Sequence, residues 1–309
     1  MSPLREILAD YLTVRRALGY KLDKAGKLLA QFLTYLEDLN EERVTTETAL
    51  SWATLPIAAH ASWLSYRLSI VRGFATHLRT IDTTSEVPPA DLLPWRACRA
   101  TPYLYSEQEV TALMAAATML RTSHRVATYQ TLIGLLVVTG MRVGEAIGLD
   151  RGDFDSTNGL VIVHKGKFGK SRQLPLQPST VDAVRDYLRR SDRPPSAAST
   201  PALLVSTTGT RLLYTNTQST FRQLVCRAGL KPRSVACRPR LHDLRHTFAV
   251  RTVLDGYRDD DADVGARLPL LSTYLGHVDP GKTYWYLSAA PELLALAGGR
   301  LERHLGGDS

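Results

Sequence analysis

Apolar residues recur over the first eighty positions at the spacing of a single helical face. Leu4, Ile7, Leu8, Tyr11 and Leu12 fall at i, i+3, i+4, i+7 and i+8. Leu29, Phe32, Leu33 and Leu36 repeat the pattern, and Leu64, Leu68, Val71, Ala75 and Leu78 form a third stripe. A stripe of this period buries one side of a helix against a core. Arg67, Arg72 and Arg79 lie off or beside the third stripe. They could face a phosphate backbone or simply form a solvated face.

The periodicity then stops. "SEVPPADLLPWRACRATPYL" carries Pro88, Pro89, Pro94 and Pro102 and reads as a linker. This predicts two domains, 1–98 and 99–309. In the second, Ser106-x-x-Glu109 has the spacing of a capping box ahead of Val110, Leu113 and Met114. A long apolar helix follows through Val126, Tyr129, Leu132, Ile133 and Leu136. At "GLVIVHKGKFGKSRQLPL" the period changes. Leu160 to Val163 is short and β-branched, Gly166 and Gly169 interrupt it, and Arg172 to Leu176 resumes. That predicts a β-hairpin with a basic tip. The stretch 191–201 reads as a loop. A further helix through Phe221, Leu224, Val225 and Ala228 is closed by Gly229 as its C′ residue. The fold class expected is mainly α with a small β-hairpin or sheet, α+β.

Composition narrows the setting. The chain has 309 residues, 44% of them hydrophobic, and a mean hydropathy of −0.13. No apolar run is long enough to span a bilayer, and the N-terminus lacks the apolar core of a signal peptide. Cys98, Cys226 and Cys237 give no disulfide framework, so a reducing, cytoplasmic setting is expected. Cys226, Cys237 and His242 are poorly spaced for zinc. The acidic run Asp259-Asp260-Asp261 with Asp263 reads as an exposed loop around 257–267 rather than a magnesium site. Neither metal nor cofactor is expected. The net charge is +8, split as +1 over residues 1–99 and +7 over the rest. A basic second half points to a polyanionic partner, nucleic acid first, or to a solubilising surface.

"GHVDPGKT" (276–283) matches the phosphate-binding P-loop pattern letter for letter. That loop needs a strand before its first glycine and a parallel sheet beyond it. Here the preceding "ARLPLLSTYLG" reads as a helix, and few residues follow Thr283. The match is accidental.

Other residues suit phosphate chemistry better. "TGMRVGEAIGL" puts Arg142 just after a Thr139-Gly140 break and Glu145 one turn on. A carboxylate at that spacing can hold a guanidinium in one pose, fit to clamp two phosphate oxygens. It could equally be a structural ion pair. "RLHDLRHTFAV" puts His242 and Arg245 at i, i+3, on one helical face. Lys167 sits at the hairpin tip, with Lys165 and Lys170 as rivals, and could protonate a leaving oxygen. Tyr286 lies nine residues beyond His277, with Tyr284 nearby. Most aromatics so placed are core, but a phenol in a cationic pocket can act as a nucleophile.

The ordered set Arg142, Lys167, His242-x-x-Arg245, His277, Tyr286 resembles the tyrosine recombinases, the phage-integrase-type site-specific recombinases. The residues that carry the likeness are "TGMRVGE", "KGKFGKSRQLPL", "HDLRH" and "LGH" with a tyrosine nine positions later, over roughly 102–290. The N-terminal helices are more weakly similar to the family's SAM-like core-binding domain. The likeness implies that Arg142 and Arg245 bind the non-bridging oxygens of the scissile phosphate. Lys167 would protonate the departing 5′ oxygen, His242 would assist proton transfer, and His277 would hydrogen-bond the phosphate. Tyr286 would attack to form a 3′-phosphotyrosine, and Glu145 would support the active-site arginine and histidine. Lys165, Lys170, Arg172, Arg67 and Arg72 are further candidate DNA contacts. The interval from Arg245 to His277 is longer than in compact members.

The function implied is site-specific cutting and rejoining of double-stranded DNA, for integration, excision or resolution, by an Xer-like or transposon-associated recombinase. The partners implied are DNA carrying specific sites and three further protomers in a DNA-assembled homotetramer. A partner recombinase or an accessory factor could join them, and no membrane is involved. The C-terminal leucines, Leu293 to Leu305, could dock on a neighbour or pack in cis. Alternatives are type IB topoisomerase-like relaxation and a non-catalytic DNA-binding accessory role.

Overall fold

The computed structural model describes residues 3–94, 101–164, 171–258 and 264–276, together with Gly281, Ala295, Gly298, Gly299 and Glu302. The chain separates into two compact units, Met1–Arg99 and Ala100–Ser309.

Among its described residues the first unit is built from four helices: α1 (Pro3–Ala17), α2 (Asp23–Asp38), α3 (Thr46–Thr54) and α4 (Ala61–Leu78). Their apolar stripes meet in one core that contains Leu8, Leu29, Phe32, Leu33, Leu36, Leu68, Val71 and Leu78. Each such side chain contributes about 1.5–3 kcal/mol when fully buried. The helix α3 carries no long stripe. A reciprocal cap between Thr45 and Thr48 starts it, and Ala49, Trp52 and Ala53 bury it.

Arg67 departs from expectation. It lies in the core rather than on a DNA-facing surface. Its guanidinium sits 3.7 Å from the centroid of the Trp52 ring, and Nη2 donates to the Trp52 carbonyl at 2.6 Å. The reason is geometric: α3 brings an indole and a carbonyl of its last turn to the level of Arg67, and an arginine stacks on an indole with little loss of hydration. Arg72 is also occupied, donating to the carbonyls of Pro88 and Pro89 at 2.7 and 2.6 Å.

The second unit contains α5 (Glu107–Ala117), α6 (Ser123–Thr139), α7 (Val143–Gly148), α8 (Pro178–Arg189), α9 (Tyr214–Arg227), α10 (Asp243–Arg258) and α11 (Val264–Leu275). Ser106 and Glu109 cap α5 reciprocally, and Gly229, at φ +68°, closes α9 as C′. Among the described residues there is one antiparallel sheet, in the order β1 (Phe154–Asp155), β2 (Leu160–Val163), β3 (Arg172–Pro175). Val161 pairs with Leu174 and Val163 with Arg172. The expected hairpin is therefore part of a three-stranded sheet. Val161, Val163 and Leu174 point into the main core with Leu132, Ile133, Leu136 and Leu244.

α10 packs on α6 and on α11. The stretch expected as a loop over 257–267 is helical at both of its ends. Tyr257 and Arg258 finish α10, and α11 has begun by Val264. The aspartates 259–261 and 263 lie outside the described residues. α11 directly precedes Gly276, so a helix stands where a P-loop would need its strand. Among the described residues no helix is long and apolar enough to cross a membrane, and no group of side chains could hold a metal ion.

Candidate active site

The α6 helix ends at Gly140, whose φ of +59° turns the chain sharply. A Cβ there would lie 2.3 Å from Cδ1 of Phe248, so only glycine lets α6 meet α10 this closely. The turn delivers Arg142 to the N-cap of α7. Its backbone N–H donates to Oε2 of Glu145 at 2.8 Å, the carboxylate half of a capping box. The same carboxylate receives Nη1 of Arg142 at 2.8 Å, and Nη2 of Arg142 reaches the carbonyl of Gly276 at 3.0 Å.

Glu145 has a second partner. Arg172, first residue of β3, grips it with both terminal nitrogens, Nη1 to Oε1 at 3.1 Å and Nη2 to Oε2 at 2.8 Å. The carboxylate thus accepts four hydrogen bonds. Burial pushes its pKa up, but the hydrogen bonds from Arg172 and Arg142 and the charge of Arg172 outweigh burial. The net result is a pKa held down at about 2.

Arg245, on α10, is almost fully buried, at 2% exposure. Nη1 donates to Gly140 at 2.7 Å and Nη2 to Leu275 at 2.6 Å. Arg245 and Arg142 therefore end on adjacent carbonyls, Leu275 and Gly276. Gly276 itself has φ +66°, and a Cβ added to it would come within 3.2 Å of Nη1 of Arg172 and 3.7 Å of Nη1 of Arg142.

His242 precedes the first residue of α10, with its carbonyl accepting the N–H of Arg245 at 3.1 Å. It occupies the helix N-terminus rather than a helical face shared with Arg245. Its residue surface remains open to solvent. The protein packed around the ring lowers its pKa, and the charges of Arg245, Arg142 and Arg240 lower it further, to about 4. Because solvent reaches the residue, desolvation is only partial. Burial and the cationic neighbours act in the same direction, and the ring is neutral at pH 7. His246 crosses it edge to face at 4.9 Å. Beneath them Asp243 is buried and accepts from the backbone N–H and the Nε of Arg240, each at 3.1 Å; burial raises its pKa. Tyr274 stacks on Phe248 at 5.6 Å. Burial raises its phenol pKa, and the charges of Arg172 and Arg245 pull it back.

The structure thus brings together Arg142, Glu145, His242 and Arg245 from two helix N-termini and the turn after α11. Lys165, Lys167, Lys170, His277 and Tyr286 lie outside the described residues, as do the leucines 293, 294, 296, 301 and 305. Arg67 and Arg72 belong to the first unit. Arg172 is not an outward DNA contact; its side chain is 13% exposed and spent on Glu145. The strand alternation contained that signal. Arg172 is in phase with Leu174, which faces the core, so an inward arginine in need of a buried carboxylate is what the period of two implies. Two guanidiniums, Arg142 and Arg172, on one carboxylate, with the guanidinium of Arg245 on the same turn as Arg142 and a neutral imidazole beside them, make a net positive cluster suited to a phosphodiester.

Residues 104–292 match the phage integrase family. The y4rB protein of Sinorhizobium fredii, named as an integrase/recombinase, is 40% identical over 309 residues, covering 98% of each chain. Tyrosine recombinase XerC of Mycobacterium leprae is 30% identical over 272 residues, 85% of this chain and 86% of its own. The fold is shared with the Tn1549 transposon integrase, solved in complex with transposon right-end DNA. That match has a TM-score of 0.67 and 17% identity over 98% of this chain and 99% of the other. The XerH recombinase, solved bound to its difH substrate, aligns with a TM-score of 0.62 and 18% identity over 87% of this chain and 76% of its own.

Proposed function

Because the chain belongs to the phage integrase family, we propose that it is a tyrosine site-specific recombinase. It cuts and rejoins DNA strands through a covalent 3′-phosphotyrosine. The observation that carries the reading is the arrival of Arg142 and Arg245, from separate helices, on the consecutive carbonyls of Leu275 and Gly276. His277 follows directly in the chain and Tyr286 ten residues after Gly276.

In this reading Arg142 and Arg245 hold the two non-bridging oxygens of the scissile phosphate and oppose the charge that grows there in the transition state. The phenol oxygen of Tyr286 attacks phosphorus. The bond to the 5′ oxygen breaks, and Lys167 gives that oxygen its proton. His242, neutral at pH 7, accepts or relays a proton, and His277 hydrogen-bonds the phosphate. Glu145 holds Arg142. The phosphotyrosine conserves the energy of the broken diester, so an incoming 5′ hydroxyl can reverse the step with neither nucleotide nor metal. The first unit adds phosphate contacts, and four protomers assemble on two duplexes. The 40% identical relative, named as an integrase/recombinase, supports integration or excision as the outcome.

The test is a nicked suicide duplex bearing the cognate site, read from the ends of the encoding element. The wild-type chain should form a covalent protein–DNA adduct, Tyr286→Phe should bind and form none, and Tyr284→Phe should retain it. An adduct that survives Tyr286→Phe would refute the assignment of the nucleophile. Relaxation of supercoils without strand exchange would point instead to topoisomerase-like action.

A further inference from the structure

We propose that Arg172 is a positioning residue for Arg142, acting through Glu145 and through the turn at Gly276. The inference rests on the functional reading above, in which Arg142 grips the scissile phosphate.

The pair Arg142–Glu145 is local. Arg142 is the N-cap of α7 and Glu145 its third residue, so their bond travels with that helix and fixes nothing relative to the rest of the fold. Arg172 supplies the missing reference. It reaches Glu145 across 27 positions from β3, with a two-pronged contact that sets the carboxylate's plane as well as its place. Each carboxylate oxygen is then shared: Oε1 between Arg142 Nη1 and Arg172 Nη1, Oε2 between the Arg142 backbone and Arg172 Nη2. A carboxylate held on both oxygens cannot swing to follow Arg142, so Arg142 must take the direction Glu145 dictates.

Arg172 also touches Arg142's other anchor. Nη1 of Arg172 approaches the Cα of Gly276 so closely that a Cβ would stand 3.2 Å away. The carbonyl of that same glycine accepts Nη2 of Arg142. Arg172 therefore contacts both groups that fix the Arg142 guanidinium. It pairs across the ladder with Val163, at the base of the hairpin whose intervening residues include Lys167. One side chain thereby ties the sheet, the start of α7 and the end of α11. Its cost is visible: Nε of Arg172 is buried without a hydrogen-bond partner among the described residues. An arginine serving only as surface charge would not be buried with an unsatisfied donor.

The experiment has two arms, on the full chain. In the first, guanidinium-selective ¹⁵N NMR follows the Nε and Nη resonances of Arg142 in the wild type, Arg172→Met and Arg172→Lys. Restricted rotation in the wild type should give way to exchange-averaged signals in Arg172→Met. In the second, single-turnover adduct formation and DNA affinity are measured on the suicide duplex. Arg172→Met should slow adduct formation on the order of 10²-fold, the scale of a catalytic group displaced by about 1 Å, while affinity changes by less than about threefold. Arg172→Lys keeps the charge and loses the fork. It should recover only part of the rate, and it carries the test should Arg172→Met fail to fold. Unchanged Arg142 signals, or equal losses of rate and affinity, would overturn the proposal. A wild type that forms no adduct would count against the recombinase reading alone, since the NMR arm stands independently of it.

Discussion

Arg142 and Arg245 terminate on neighbouring carbonyls of one turn, Arg142 on Gly276 at 3.0 Å and Arg245 on Leu275 at 2.6 Å. The turn exists because Gly276 adopts φ +66°, a conformation that costs an L-residue roughly 1–2 kcal/mol. Gly276→Ala adds that strain and drives a methyl to 3.2 Å from Arg172. It should lower the melting temperature modestly and adduct formation much more, because both arginines are displaced together. Calorimetry and the suicide-substrate assay on one preparation separate the two effects. A loss of activity no larger than the loss of folded protein would contradict the view that this turn aligns the arginines.

Glu145 carries the pH signature of the cluster. Its pKa is depressed in the folded state, from an ordinary value of 4.5 to about 2. A depressed carboxylate stabilises the fold fully above pH 4.5, and that contribution is lost as pH falls through 2. Glu145→Gln removes it at every pH and leaves Arg142 and Arg172 facing each other unneutralised. Breaking a buried pair in this way costs on the order of 3–5 kcal/mol. Urea unfolding should therefore show a less stable variant at pH 7 and a gap from wild type that narrows as the pH drops below about 4.5. A constant gap across that range would mean the carboxylate is not held ionised by the arginines.

The apolar stripes of α1, α2, α4, α5 and α6 were legible because helix period and burial coincide there. Gly229 and the Ser106–Glu109 cap were legible because caps are local chemistry. The helix α3 is only nine residues long, and β1 only two. The Arg142–Glu145 pair could be read from spacing alone. The second partner of Glu145 could not, since 27 positions separate it from Arg172 and only the fold closes that distance. Arg67 misled for a related reason. A charge beside an apolar stripe reads as surface until a tryptophan from another helix is found covering it.

His242 should reveal itself at mildly acidic pH. Its folded pKa is lowered from 6.5 to about 4 by surrounding protein and by Arg245, Arg142 and Arg240. The folded state thus binds fewer protons than the unfolded chain between those values, and stability falls as pH drops from 6.5 toward 4. In His242→Gln this decline should be shallower. Solvent access to the residue makes the difference a fraction of that for a fully buried ring. Denaturant midpoints at pH 7, 6, 5 and 4.5 for both proteins decide the matter, and parallel curves would show that the imidazole is not under the field of the arginines.

Arg67 offers the clearest separation of structure from DNA contact. A lysine or arginine that neutralises a phosphate contributes about one unit to the slope of log affinity against log salt. Arg67 instead spends its guanidinium on the Trp52 ring and carbonyl, and Trp52 is itself buried at 2% exposure. Arg67→Met preserves much of the packing but removes the stack and the charged hydrogen bond to the Trp52 carbonyl, which keeps only the N–H of Leu55 at 3.4 Å, a loss of roughly 1.5–3 kcal/mol. The first unit should therefore melt earlier while the salt slope of DNA binding stays that of the wild type. Binding isotherms from 50 to 300 mM salt, taken below the melting transition, measure the slope directly. A slope reduced by about one unit with unchanged melting would restore Arg67 to the DNA interface and remove it from the core.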